Sequence, residues 1–162
     1  MPLTLQDLAD HLNAPLPAEG DRRRREMQRA LDTAVHELTR MTGLLDGPAT
    51  VTVTVAADGR ALQLPYVRLT SVAGAPGPVD LLSGVVASAW APHGTMWTIT
   101  CTRADPWPSA LESAALDWAA HIYDTQRRTL NPTADEDTAL PSFALPNRVA
   151  QFAQPYLLPG FA

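Results

Sequence analysis

The chain has 162 residues, which suits one domain, and a compact chain of that size buries roughly 70% of its extended surface. Apolar residues make up 46% and charged residues 18%, a globular composition and not a disordered one. A formal net charge of −5 argues against gripping nucleic acid through its phosphates. The single Cys101 excludes an internal disulfide and a cysteine-based zinc cluster, and no apolar run approaches the roughly 20 residues of a membrane span.

In chain order, Thr4 caps a first short helix over residues 4–12. Asp7 sits three residues on to complement the open N–H groups, and Leu5, Leu8 and Leu12 form one apolar edge. The start MPLTLQDLADHL has no basic segment leading into an apolar one, so no signal peptide is expected. The loop Asn13–Pro17 leads to a second helix over 19–42. Met27, Leu31, Ala34, Val35, Leu38 and Met41 recur there at helical spacing, and Gly43 is a natural C-terminal cap.

From Ala49 the period changes to two. VTVTV runs to a hairpin signal at Asp58-Gly59. Further short strands are expected at Ala61–Leu64, Tyr66–Val72, Val79–Leu82, Val85–Trp90 and Met96–Thr102, giving an antiparallel β unit over 49–102. A third helix over 108–128 opens at Pro108, a tolerated first-turn position. Leu111, Ala114, Ala115, Trp118, Ile122 and Tyr123 form its buried stripe, and Arg127 and Arg128 suit its C-terminus. Residues 131–141 are polar and acidic and read as a linker. Residues 142–162 hold a last short helix and an arm. The fold class expected is therefore α+β: a small bundle of helices with an inserted antiparallel β unit and an extended C-terminal arm. Residues 1–130 would form a single domain.

No catalytic, cofactor or metal constellation emerges. No turn presents a nucleophilic serine as G-x-S-x-G does, and no glycine-rich phosphate loop occurs. His11, His36, His93 and His121 lie on three different helices and a loop, without the i,i+4 spacing of a helical metal site. Asp135-Glu136-Asp137 lacks the glycine and ligand spacing of a calcium loop and reads as solvated linker. Trp90, Trp97, Trp107 and Trp118 read as core packing, and Cys101 as a small buried apolar residue.

Two features invite partners. The first is Arg22, Arg23, Arg24 and Arg25. Four consecutive arginines wrap a helix and cannot share one face. They read as a solvated helix start, as a contact to an acidic patch of a partner subunit, or as a direct contact to DNA phosphates. The second is the apolar arm, with Phe152, Tyr156, Leu157, Leu158 and Phe161 beyond the acidic linker. Fully burying one such side chain gains roughly 1.5–3 kcal/mol, so something should cover them. The cover is either the chain's own core or another polypeptide.

The ordered combination resembles the head–tail connector (adaptor) family of siphophages and prophages. Three stretches carry the likeness: Leu64-Pro-Tyr-Val-Arg-Leu-Thr-Ser-Val72; Trp97-Thr-Ile-Thr-Cys-Thr102 with Pro106-Trp-Pro108 and the helix that follows; and Ala144-Leu-Pro-Asn-Arg-Val149 with Pro155-Tyr-Leu-Leu-Pro-Gly160. The resemblance implies a structural virion protein of the neck, present in the host cytoplasm during assembly, with no enzyme activity and no cofactor. Its partners would be the portal protein, on which it forms a ring (a dodecamer), and the stopper, head-closure or tail proteins that dock on that ring. Packaged DNA would pass through the channel without specific binding, and no membrane is involved. The arm would reach onto the portal. Other readings are a stopper or tail terminator, a small enzyme whose site is assembled across space, and a regulatory nucleic-acid binder.

Overall fold

A computed structural model describes residues 3–56, 62–87, 94–130 and 145–158, without the side chains of 127–130. The chain divides into two compact units. One comprises Leu3–Thr42 and the chain from Pro108 onward; the other is Gly43–Trp107. The mixed α+β class holds: helices build the first unit and small antiparallel sheets the second.

In the helical unit, α1 spans Leu5–His11, α2 Arg22–Thr42, α3 Ser109–Leu130 and α4 Asn147–Ala153, followed by a 3-10 turn over Gln154–Tyr156. Thr4 caps α1 reciprocally. Its backbone N–H donates to Asp7 Oδ2 at 2.7 Å, and its Oγ1 accepts from the Asp7 N–H at 3.3 Å. The Thr4 hydroxyl also donates to Asp7 Oδ2 at 2.6 Å, and this bond, followed by that from the Thr4 N–H, holds the Asp7 carboxyl below its ordinary range. The second helix starts at Arg22, later than 19, because Asp21 Oδ1 accepts from the Arg23 N–H at 2.8 Å and fixes the boundary. Its buried residues Met27, Ala30, Leu31, Ala34, Leu38 and Thr42 form a single stripe. Ala30 and Ala34 on α2 share a core with Ala119 on α3; side chains this small let helix axes approach closely. Leu8 and Ala9 of α1 join the same core with Met27, Leu31, Ile122 and Tyr123. At the C-terminus of α2, Gly43 takes a φ of 66°, as the expected cap requires.

In the second unit, β1 spans Ala49–Ala56, β2 Leu62–Gln63, β3 Ser71–Ala73, β4 Val79–Asp80, β5 Val85–Val86 and β6 Met96–Arg103. They form two three-stranded antiparallel sheets, ordered β1-β6-β3 and β2-β5-β4. The long pair β1/β6 is in continuous register, with Thr52 opposite Thr100 and Val53 opposite Ile99. Both sheets line one core of Leu45, Leu62, Leu64, Leu69, Val86, Ile99 and Cys101. Burial pushes the Cys101 thiol pKa up, as befits an inert packing residue.

The expected strand Tyr66–Val72 shrinks to Ser71–Ala73. Arg68 adopts a φ of 50°, which breaks extended geometry. The N–H groups of Val67, Arg68 and Leu69 donate instead to the carbonyls of Gly43, Leu82 and Leu81. Strands β2, β4 and β5 are likewise only two residues long. Ala61, Trp90 and the Asp58-Gly59 turn lie outside the described residues.

Backbone contacts set the turns. An added Cβ on Gly84, whose φ is +72°, would collide with the Tyr66 carbonyl, so the position is restricted to glycine twice over. The base of the unit is stitched by side-chain donors. Trp107 Nε1 donates to the Leu44 carbonyl at 2.9 Å, Arg103 Nη1 to the Leu45 carbonyl at 2.9 Å, and Arg103 Nη2 to the Pro106 carbonyl at 3.2 Å. Arg103 is only 5% exposed, and burial lowers its guanidinium pKa, partly offset by the charges of Asp105 and Asp46. Entry and exit of the β unit are thus tied to each other.

Candidate functional site: the C-terminal arm and its seat

Residues 145–158 form a short helix and a turn, and they lie against the helical unit. The helix has no side-chain cap, because Pro146 stands at its N-cap position. Seven residues without a cap are marginal alone, so packing must hold α4. Its i,i+4 pair Val149 and Ala153 is fully buried, and its main partner helix is α3. At the far end the Leu158 N–H donates to the Met41 carbonyl of α2 at 2.9 Å.

A charge cluster adds to this seat. Asp117 on α3 is largely buried, with 16% of its side chain exposed. Its Oδ1 lies 3.0 Å from His11 Nε2 of α1, and its Oδ2 lies 3.1 Å from Arg148 Nε of α4. The second contact is electrostatic and not an aligned hydrogen bond, since Oδ2 lacks a partner of hydrogen-bond geometry. Arg148 also stands 5.5 Å from the ring centroid of Phe152. One carboxylate therefore touches both the first helix and the last.

Of the arm residues expected to meet a partner, Phe152, Tyr156, Leu157 and Leu158 are each half-buried on the chain's own helical unit. Phe161 and the linker 131–141 lie outside the described residues. The four partly covered side chains retain apolar area worth roughly 1 kcal/mol apiece if a second surface closed over them. Beside the arm lies a depression of about 350 Å³, lined by Met41, Trp118, His121, Ile122 and Leu145.

The arginine run is engaged locally. Arg22 pairs with Glu26 at 2.6 Å, and Arg24 Nη1 donates to the Pro17 carbonyl at 3.0 Å. Arg23 and Arg25 are exposed, on different sides of the helix start. Among the described residues no group of three His, Cys, Asp or Glu side chains could hold a metal ion, and no helix is long and apolar enough to cross a membrane. His11, His36 and His121 stand on α1, α2 and α3, and His93 lies outside the described residues. Asp117 and Arg148 were not legible as a pair. The only signal was an acidic residue interrupting the apolar text of α3 between Leu116 and Trp118.

No protein-family model matches this sequence, and no curated protein does. Solved structures do. The chain is similar to one in the neck of an empty gene transfer agent (GTA) particle computed with C6 symmetry, at a TM-score of 0.60 and 17% identity, covering 99% of this chain and 93% of that one. It is also similar to a chain in the virion of a native GTA particle, at a TM-score of 0.55 and 16% identity, with the same coverage. At these identities the likeness is one of fold, and it extends over essentially the whole length of both chains. It agrees with the resemblance to phage connectors read from the sequence.

Proposed function

We propose that this chain is a structural protein of the neck of a phage-like particle, and within it the head–tail connector: a subunit that forms a ring on the portal. The observation that carries this reading is the fold shared from end to end with a chain of a GTA neck. Local likeness in one helical hairpin would say little, whereas 99% coverage takes in the helices, the β insertion and the arm together.

The physical features support the same role. A ring of identical subunits uses a head-to-tail interface that closes on itself, and weak contacts suffice when many subunits engage one template. Twelve copies would match the dodecamer implied by the connector resemblance. The apolar remainder of Phe152, Tyr156, Leu157 and Leu158, with Phe161 beyond, is the surface assigned to the portal. Arg22–Arg25 are assigned to the neighbouring subunit. Leu82 and Met96, 68% and 60% exposed at the surface of the β unit, are candidates for stopper or tail contacts. An acidic chain lining the channel would let DNA slide without sticking.

The test is co-sedimentation of the purified chain with isolated portal rings and with isolated tail tubes. Binding to portals is expected. Binding to tail tubes alone would replace the connector with a tail terminator. A chain cut after Pro141 should keep the helicity of α2 and α3, melt at a lower temperature, and no longer sediment with portals. Undiminished portal binding by the cut chain would remove the arm from the interface.

A further inference from the structure

Strand β1 stands at the edge of its sheet with one side open among the described residues. In the order β1-β6-β3, β1 is an edge strand of eight residues, while the other edge strands, β3, β2 and β4, have three, two and two. Natural edges are usually blunted by shortness, charge, proline or a bulge. The sequence ATVTVTVA has no charge and no proline, and its eight consecutive pairs with β6 leave no bulge.

The direction of its free groups follows from its neighbour. The Thr70 N–H donates to the Thr102 carbonyl at 2.8 Å, so Thr102 turns its backbone groups toward β3. Thr98 does likewise, since an added Cβ on Gly74, the residue after β3, would lie 2.7 Å from the Thr98 carbonyl. Alternate residues of a strand bond to opposite sides. Ile99, Cys101 and Arg103 therefore bond β1 through their partners Val53, Val51 and Ala49. Thr50, Thr52 and Thr54 are then the non-bonded pairs with β6, where side chains approach more closely. The Thr50–Thr102 and Thr52–Thr100 hydroxyl contacts of 3.2 Å fit that placement. It follows that the N–H and C=O groups of Thr50, Thr52 and Thr54 point outward. Outside the β ladders, no backbone hydrogen bond among the described residues reaches them.

We infer that this edge pairs with the same edge of a second copy of the chain, antiparallel and centred on Thr52. The segment Thr50–Thr54 reads TVTVT, the same in both directions. In an antiparallel pair that bonds outward group to outward group, Thr50 faces the partner's Thr54, Thr52 faces the partner's Thr52, and Val51 faces the partner's Val53. Every threonine then meets a threonine on one face, and every valine a valine on the other. The product is one continuous six-stranded sheet, β3-β6-β1-β1-β6-β3, with its half-buried valine row extended across the two-fold axis. A two-fold contact closes on itself. It is therefore distinct from a head-to-tail ring contact, and it covers the edge in the free protein. It does not rest on the neck reading.

Sedimentation of the full chain at high micromolar concentration tests this. The wild type is expected to be a dimer. Thr52→Lys sets like charges opposite each other and should weaken association by about tenfold or more. Thr52→Pro removes only an outward N–H and should do the same. Both variants keep the β1–β6 backbone bonds and lose only the exposed Thr52–Thr100 hydroxyl contact, so circular dichroism and melting should stay near wild type. Thr52→Glu mixed with Thr52→Lys should form a mixed dimer, because the two positions face each other. A monomeric wild type, a Thr52→Lys variant as dimeric as wild type, or folded Lys and Glu variants that fail to associate when mixed would each overturn the proposal.

Discussion

The two units of this chain are stabilised in different ways. The helical unit relies on a broad apolar stripe in which Met27, Leu31, Leu38, Leu111 and Ile122 share the work, with alanines setting the helix spacing. No single hydrogen bond defines it. The β unit has strands too short to define themselves, and it depends on single positions: a glycine that no other residue can replace, a buried guanidinium and one indole N–H. Periodic packing spreads the load across many residues, whereas short strands concentrate it in a few. Substitutions should therefore give graded losses in the helical unit and steep losses in the β unit.

The largest expected effect is Gly84→Ala, which adds a backbone clash to a positive φ; a loss of about 4 kcal/mol is predicted from urea unfolding. If it is tolerated, the contrast between the units fails at its strongest point. Next is Leu38→Ala, predicted to cost about 3 kcal/mol by leaving a cavity in the helical core. Hydrogen exchange should place that loss in α2 and α3. Arg103→Leu is predicted to cost about 2 kcal/mol, because the Leu45 and Pro106 carbonyls lose their donor inside the unit. Faster exchange should appear in 43–45 and 103–107. Asp117→Asn should cost about 1 kcal/mol, read as faster exchange in α1 and α4 with α2 unchanged.

Acid gives the smallest effect. The Asp7 carboxyl is depressed in the folded chain, so its contribution is complete above the ordinary aspartate value of 3.8 and is lost as pH falls through its lower folded value. Fraying of α1 in that window should show in the amide signals of residues 5–11, and Thr4→Ala should fray it at neutral pH, costing about 1 kcal/mol. A helix α1 indifferent to both would mean that Leu8 and Ala9 alone hold it.

Local chemistry was legible; contact between distant segments was not. The Thr4–Asp7 cap, the stripe from Met27 to Leu38, the left-handed Gly43 and the Thr/Val alternation of β1 all depend on neighbours within a few residues, and a sequence displays those directly. Tyr66–Val72 looked like a strand because its composition is β-rich. Its backbone partners at Gly43, Leu81 and Leu82 are far away in sequence, and Arg68 turns the chain toward them. Arg103 looked like a charge at the end of a strand. Its burial arises from carbonyls 58 residues before and three residues after it. The arm's apolar character was plain, but its seat depends on Asp117 and Met41, which no periodicity connects to it.

The stitching of Leu44 to Trp107, and of Leu45 to Arg103, has an evolutionary and practical consequence. A segment whose two ends are fastened together is a cassette. A recombining genome or a protein engineer can exchange everything between those clasps for another segment of similar footing, and the helices on either side keep their own hydrophobic text. The cassette can then vary in sequence while the helical framework stays constant.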